Sequence, residues 1–409
     1  MSKFNEKFLM NTDEVIEYVL EKTDIFRKDD NLKCVEFGDG NVNYIFKIWN
    51  EKTEKSIILK QAGPTARASE EFKFSPDRNR TEANLLKLQG ELAPGSTPKI
   101  YHIDTVMNCF IMEDLSDHEV LRTSLLNHKK VLGFTDLITT FLVNSLIMTT
   151  DIVMSHKEKR ELNQDYINPV LCEITKDVVY TEPFTNYLNR NSIFEANKDW
   201  VIEHYYRDEE LKLEVAKIKY EFMNNAQALV HGDLHSGSIF VKDNSVKVID
   251  PEFAFYGPIG HDLGNLIAHL IFAWVNADAN IEDVKEKEDY KKWLEDSIVE
   301  IIDMFKTKFL KSFKENAKDI STQSEEFDKW YLDSILDNTS GVVGIELSRR
   351  IIGIPEAKIK DIESINCENS RVKAERICLA TAKNFIKNRK SFKSGIDFVN
   401  NLKEIEKLY

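Results

Sequence analysis

The chain has 409 residues, and 55 Lys plus Arg stand against 69 Asp plus Glu, a formal net charge of −14 at pH 7. An apolar fraction of 42% excludes a disordered chain, and 15 Gly with 9 Pro exclude collagen-like or low-complexity material. The acidic balance speaks against a general nucleic-acid binder, whose phosphate contacts need surplus Lys and Arg, but it leaves room for a local cationic pocket.

Asn11, Thr12 and Asp13, followed by Val15, Ile16, Val19 and Leu20 at helical spacing, predict a helix over 11–22. Short β-like runs follow at Lys33–Phe37, Tyr44–Trp49 and Ser56–Lys60, the first two separated by Gly38-Asp39-Gly40-Asn41. Residues 77–90 read as a helix stopped by Gly90, and two further strands fit Lys99–Ile103 and Cys109–Met112. From about residue 120 helical periodicity prevails, over 132–150, 196–229, 262–276, 290–315 and 323–350. A β pair at 239–249, turning at Asn244–Ser245, interrupts it. The expected class is α+β, in a two-lobed, protein-kinase-like layout. Residues 1–115 would form a small antiparallel β-sheet lobe that binds nucleotide. Residues 116–409 would form a large, mainly helical lobe.

Five scattered cysteines, with no C-x-x-C, argue against a disulfide framework or zinc site and fit a reducing cytosol. The start, MSKFNEKFLMNTDEV, lacks the apolar segment of a secretory signal. The most apolar long stretch, around Leu263 to Val275, is too short to span a bilayer and is broken by Asn265 and His269. A cytoplasmic protein without a membrane partner is the expectation.

The chemistry concentrates in HGDLHSGSIFV (His231–Val241) and VIDPEFAFYGPIGHDLGN (Val248–Asn265). A hairpin returns its ends to one place, so Asp233, Asp250 and Glu252 are expected to converge. Three carboxylates repel unless cations neutralise them, and hard oxygen ligands without nearby Cys favour Mg²⁺ completed by substrate phosphates. Asp233 would accept or orient the proton of an attacking hydroxyl, and Asp250 with Glu252 would hold the metal on the phosphates. Gly38 and Gly40 would let backbone approach phosphate closely. Lys60, ending a buried strand, needs an anion, with Glu82 on the next helix as the candidate partner. Glu113, Asp114 and Leu115 follow an apolar strand where the chain crosses between lobes, and would border an adenine.

GDGNVNYIFKI, IILKQA, DRNRTEANLL, FIMEDLS, HGDLHSGSIF, VIDPEFAFYGPIG and ELSRRIIGI together resemble the 5-methylthioribose kinases, within the aminoglycoside phosphotransferase and choline kinase group. The matches run in order from about residue 34 to 352. The resemblance implies ATP-dependent phosphorylation of 5-methylthioribose on its anomeric hydroxyl, giving the 1-phosphate in methionine salvage, by a homodimer. It implies ATP contacts from Asn43, Lys60 and Glu113–Leu115, metal–nucleotide contacts from Asp250, Pro251 and Glu252, and sugar contacts from Asp233, Arg349 and Arg350. The two guanidiniums stay ionised at any working pH and can stabilise charge at the sugar.

The sequence departs from the wider group at Ser238, where many relatives carry a metal-binding Asn, and at Asp-Pro-Glu in place of Asp-Phe-Gly. Both variations are similar to the methylthioribose kinases themselves. Gly63 and Thr65 fall where that family carries a bulkier segment, and His261 where it more often carries Phe. His261 reads as a packing change with a polar partner, and His231 and His235 as braces of the catalytic loop. Two readings compete: a kinase of another small hydroxyl compound, such as an aminoglycoside or amino alcohol, and an inactive nucleotide-binding scaffold. A cationic substrate would want an acidic pocket, whereas the arginine pair favours a neutral sugar.

Overall fold

The computed structural model describes residues 2–37, 43–63 and 78–409. Its contacts divide the chain into two compact units, Met1–His118 with Lys247–Ala254, and Glu119–Val246 with Phe255–Tyr409.

In the first unit α1 (Thr12–Lys22) starts on Asn11, whose side chain accepts the Asp13 and Glu14 N–H groups while the Glu14 carboxylate accepts that of Asn11. β1 (Leu32–Phe37), β2 (Asn43–Asn50) and β3 (Ser56–Ala62) precede α2 (Arg78–Leu92), β4 (Ile100–Asp104) and β5 (Cys109–Glu113). The strands form one antiparallel sheet in the order β1-β2-β3-β5-β4. β3 is buried along nearly its whole length because helices cover both faces. On one face Ile57 and Leu59 pack with Phe46, Ile48, Ile111 and the α1 residues Val15, Tyr18 and Val19. On the other, Ile58 packs with Phe110, Met112 and the α2 residues Ala83 and Leu86. Strand alternation therefore places Lys60, two residues after Ile58, on the α2 face.

Two expectations are corrected in this unit. α2 runs through Gly90 to Leu92, so Gly90 is no stop signal. A Cβ there would lie 2.8 Å from Thr97 Oγ1, and glycine instead lets the following loop press against the helix. The segment 247–254, counted with the helical part by a division at residue 115, joins the sheet unit. Val248 N–H donates to the Ser96 carbonyl at 2.8 Å, and Lys247 Nζ reaches both the Thr97 carbonyl and Glu113 Oε2 at 3.2 Å. The 251–253 turn packs on α2.

The second unit opens with β6 (Glu119–Val120), α3 (Leu121–Leu126), α4 (Phe134–Ile147), α5 (His156–Asn163), α6 (Pro169–Val178), α7 (Glu182–Thr185), α8 (Lys198–Val201) and α9 (Glu209–Asn224). Then come β7 (Ala228–Val230), the hairpin strands β8 (Ile239–Lys242) and β9 (Ser245–Val248), and β10 (Phe255–Gly257). The remainder is helical: α10 (Gly260–Asn280), α11 (Val284–Asn316), α12 (Phe327–Ile352), α13 (Lys360–Glu363), α14 (Glu368–Lys387) and α15 (Gly395–Glu406). The helix expected over 196–229 is broken. A π-helical turn at Ile202–Tyr206 ends its first piece, and Asp208 caps a new start by accepting the Leu211 N–H at 2.9 Å.

α10 is buried from Gly260 to Ala277, as befits the central helix of a bundle, and packs on α11, α12 and α14. A Cβ at Gly264 would lie 2.7 Å from Val342 Cβ, so the α10–α12 crossing is closed by a missing side chain. α14 covers α12 from another side. α12, which ends with Arg349 and Arg350, is thus packed on two neighbours. Among the described residues no helix is long and apolar enough to cross a membrane.

Candidate active site

In the helical unit the short strand β7 delivers His231, Gly232 and Asp233, and its pairing with β10 brings Val230 opposite Phe255. At the start of α10, Asp262 accepts the His231 N–H at 2.7 Å and the Gly232 N–H at 3.0 Å. Gly232 has φ 86°, a left-handed conformation that glycine adopts without penalty. Its carbonyl lies 3.0 Å from His261 Nε2, while His261 Nδ1 lies 2.8 Å from the Tyr180 hydroxyl. A carbonyl only accepts, so Nε2 carries the proton and Nδ1 accepts from Tyr180. His261 therefore holds the loop through its backbone.

Asp233 Oδ1 lies 3.2 Å from Arg349 Nη2 and 3.9 Å from Arg350 Nη2, and Oδ2 lies 3.5 Å from His235 Nε2. Burial pushes the Asp233 carboxyl up, but the charges of His235, Arg349 and Arg350 outweigh it and hold the group well below the usual carboxylate range. Burial also pushes His235 down to about 4, so at neutral pH the two guanidiniums do this holding. Ser238 is buried, with its hydroxyl 3.2 Å from the Asp233 carbonyl and 3.1 Å from His235 Nδ1. It braces the loop. Behind the arginines sits a buried carboxylate, Glu346, which contacts Arg349, Arg350 and His269. On the loop side, Ser236 Oγ stands 2.9 Å from His269 Nδ1 and accepts from Arg122 Nε at 3.4 Å.

The sheet unit holds a second constellation. Lys60 Nζ donates to Glu82 Oε1 at 2.8 Å and to Asp250 Oδ1 at 2.6 Å. Burial disfavours the ammonium, but Asp250, Glu82 and Glu252 raise it above its ordinary value. Burial pushes the Glu82 carboxyl up to about 8, against the pull of Lys60. Asp250 takes a left-handed backbone, φ 60°, ahead of the Pro251–Phe253 turn. Arg78, at the start of α2, donates from Nη2 to Asn43 Oδ1 at 2.9 Å, and its Nε lies 3.6 Å from Glu252 Oε2. Gly38 and Gly40 lie outside the described residues, as does Thr65.

Glu113 Oε2 accepts from the Lys99 N–H at 3.0 Å, and the Glu113 N–H donates to the Lys99 carbonyl at 2.9 Å. Asp114 is tied to its own turn, with Oδ2 2.9 Å from Lys47 Nζ and Oδ1 accepting from the Ser116 N–H and hydroxyl at 3.0 and 2.6 Å. Leu115 is buried, and its carbonyl accepts the His118 N–H at 2.9 Å. The strand register shows which face this segment serves. Phe37 pairs with Ile45 and Ile45 with Lys60, while Val35 pairs with Lys47 and Lys47 with Ile58. Val35 and Phe37 thus share the Lys60 face, where they stay 43% and 44% exposed beside Trp49 and Ser116 in an open cavity of about 620 Å³. Apolar side chains left uncovered on such a face fit the flat surface of a base.

The donor chemistry suits a hard cation. Asp250 and Glu252 supply hard carboxylate oxygens, and Asp250 is 42% exposed at its side chain. Among the described residues no group of three or more His, Cys, Asp or Glu is poised around one point.

Of the residues singled out from the sequence, Lys60 lies against Glu82, and Asp233 lies against Arg349 and Arg350, while Arg78, Arg122, His269 and Glu346 had been assigned no role. Only Glu346 had a readable signal, since it precedes Arg349 and Arg350 by three and four residues on one helix.

Residues 172–293 match the Phosphotransferase enzyme family. The methylthioribose kinase of Bacillus pumilus (strain SAFR-032) is 36% identical over 376 residues, spanning 92% of each chain. That of Geobacillus sp. (strain WCH70) is 34% identical over 371 residues, spanning 90% of each. Among solved structures, choline kinase from Cryptosporidium parvum Iowa II aligns over 97% of this chain and 96% of its own, with 13% identity and a TM-score of 0.48.

Proposed function

The chain belongs to the methylthioribose kinase family, and from that premise we propose how its residues divide the transfer of a phosphoryl group from ATP to the anomeric hydroxyl of 5-methylthioribose. The observation that carries the proposal is Asp233, a partly exposed carboxylate kept ionised by Arg349 and Arg350. Cationic groups beside the catalytic carboxylate suit a neutral polyhydroxyl acceptor and oppose a cationic aminoglycoside or amino alcohol.

Asp233 accepts the hydrogen bond of the attacking hydroxyl and aims its oxygen at the phosphoryl group. A carboxylate held so far below neutrality is a weak base. Its work is therefore orientation, with proton uptake late in transfer, as a loose transition state allows. Arg349 and Arg350 bind the sugar hydroxyls and stabilise charge gathering there. Lys60, steadied by Glu82, contacts the nucleotide phosphates. The adenine edge would be read by the Glu113 carbonyl and the Leu115 N–H, because the Glu113 N–H and Leu115 carbonyl already serve Lys99 and His118. Val35 and Phe37 would cover its face. Arg78 orients Asn43 for the nucleotide. Asp250 and Glu252 would hold Mg²⁺, which when bound neutralises charge on the β- and γ-phosphates.

Five free thiols fit the cytosol as its compartment, and the resemblance to the family carries a homodimer, which sedimentation equilibrium would test. The deciding experiment measures ADP release at fixed Mg²⁺ with 5-methylthioribose, choline and kanamycin as acceptors. Turnover with 5-methylthioribose alone is expected; turnover with choline or kanamycin and none with the thiosugar would overturn the assignment.

A further inference from the structure

Arg349 and Arg350 are consecutive on α12, and consecutive helical residues point about 100° apart. Both guanidiniums nevertheless reach the same oxygen of Asp233, at 3.2 and 3.9 Å. Something must turn them together, and Glu346 stands where both can reach it. Glu346 Oε1 accepts from Arg350 Nε at 2.7 Å and from Arg349 Nη2 at 3.3 Å, and Oε2 accepts from Arg349 Nε. A third anchor comes from α10, where His269 Nε2 lies 3.2 Å from Oε1. An ionised carboxylate only accepts, so Nε2 carries the imidazole proton and His269 Nδ1 accepts from the Ser236 hydroxyl at 2.9 Å. Both carboxylate oxygens are thereby committed, and the side chain is 1% exposed. Burying a carboxylate this deeply is costly, and an apolar residue would pack the helix at lower cost.

We propose that Glu346 is the positioning residue of the acceptor side: it turns two consecutive arginines onto one oxygen of Asp233 and so sets the affinity for the sugar without setting that for the nucleotide. Glu346 meets neither substrate. It acts through the guanidiniums, and His269 keeps it from swinging away with either one. The inference rests on the reading that Asp233, Arg349 and Arg350 meet the sugar.

Steady-state kinetics of wild type, Glu346→Gln, Arg350→Gln and the double variant test it. Glu346→Gln should raise KM for 5-methylthioribose by about tenfold or more while KM for ATP stays within about twofold. Because both residues serve one interaction, the double variant should lose less kcat/KM for the sugar than the product of the single losses, by about tenfold. Multiplicative losses, or a KM for ATP that rises with that for the sugar, would overturn the proposal. Unchanged sugar kinetics in Arg350→Gln and Arg349→Gln would instead sink the underlying reading of the sugar site. If Glu346→Gln does not fold, Glu346→Asp carries the same cycle, since it keeps the charge but withdraws the carboxylate by one methylene.

Discussion

Lys60 Nζ stands 2.6 Å from Asp250 Oδ1 across 190 residues of chain, and 2.8 Å from Glu82 on the other side. One ammonium thus joins a strand, a helix and the 247–254 segment within the sheet unit. Lys60→Met should lower kcat by about 100-fold or more. It should also destabilise, because removing one partner of a buried pair costs about 3–5 kcal/mol. Lys60→Met/Glu82→Leu should recover Tm without recovering turnover. Activity returning together with Tm would reduce Lys60 to a structural role.

Asp233→Asn should cut kcat by about 1,000-fold or more and leave KM for ATP nearly unchanged, since catalysis here is mostly orientation and electrostatics. The wild-type kcat should also show no acid limb from Asp233 between about pH 5 and 8, because its carboxyl is held well below the usual range. A limb in that window that disappears in Asp233→Asn would contradict the orienting role.

Glu252→Ala should raise the Mg²⁺ concentration for half-maximal rate by about tenfold, through loss of one hard oxygen ligand. Arg78 would lose its carboxylate neighbour at the same time, so KM for ATP should rise through Asn43. A Mg²⁺ titration of initial rates separates the effects, and an unchanged midpoint would remove Glu252 from the metal site.

The buried imidazoles make stability sensitive to acid. Burial pushes His235 down to about 4 and His269 to about 3, from an ordinary 6.5. The unfolded chain then binds protons first, so stability is full above about pH 6.5 and is lost as the pH falls toward 3. Asp361 and Glu82, which burial pushes up to about 6 and about 8, work in the opposite sense, so the contribution of one imidazole is read as a difference between two proteins. Between pH 7.5 and pH 5 the urea midpoint of His269→Gln should rise relative to that of wild type. Equal slopes in the two proteins would show that His269 does not titrate in this window.

The sheet unit was legible in detail because its signals are local. Alternation fixed β1 to β3, and a lysine ending an apolar run forecast an anion for Lys60. Gly90 misled because the same residue serves as a helix stop and as a point of close approach, and only the position of Thr97 distinguishes them. In the helical unit, Asp208 has the side chain of an N-cap, but it lies inside a periodic apolar pattern that masks the break. α5, α6, α14 and α15 escaped the periodicity reading, and α5 buries only Lys159, so it offers no apolar stripe to read. Arg122 and His269 could not be found from sequence, since their partners lie 114 and 77 residues away.

The left-handed backbone of Asp250, φ 60°, limits what can replace it. Asn and Asp enter this region readily, Gly does so freely, and other residues incur about 1–2 kcal/mol. Asp250→Asn therefore changes charge and leaves the chain path alone, whereas Asp250→Ala changes both. The pair forms an internal control: whatever Ala loses beyond Asn measures the shape of the turn, and whatever the two share measures the carboxylate. The same geometry predicts which residues drift can sample at this position, a set of three, only one of which carries a charge.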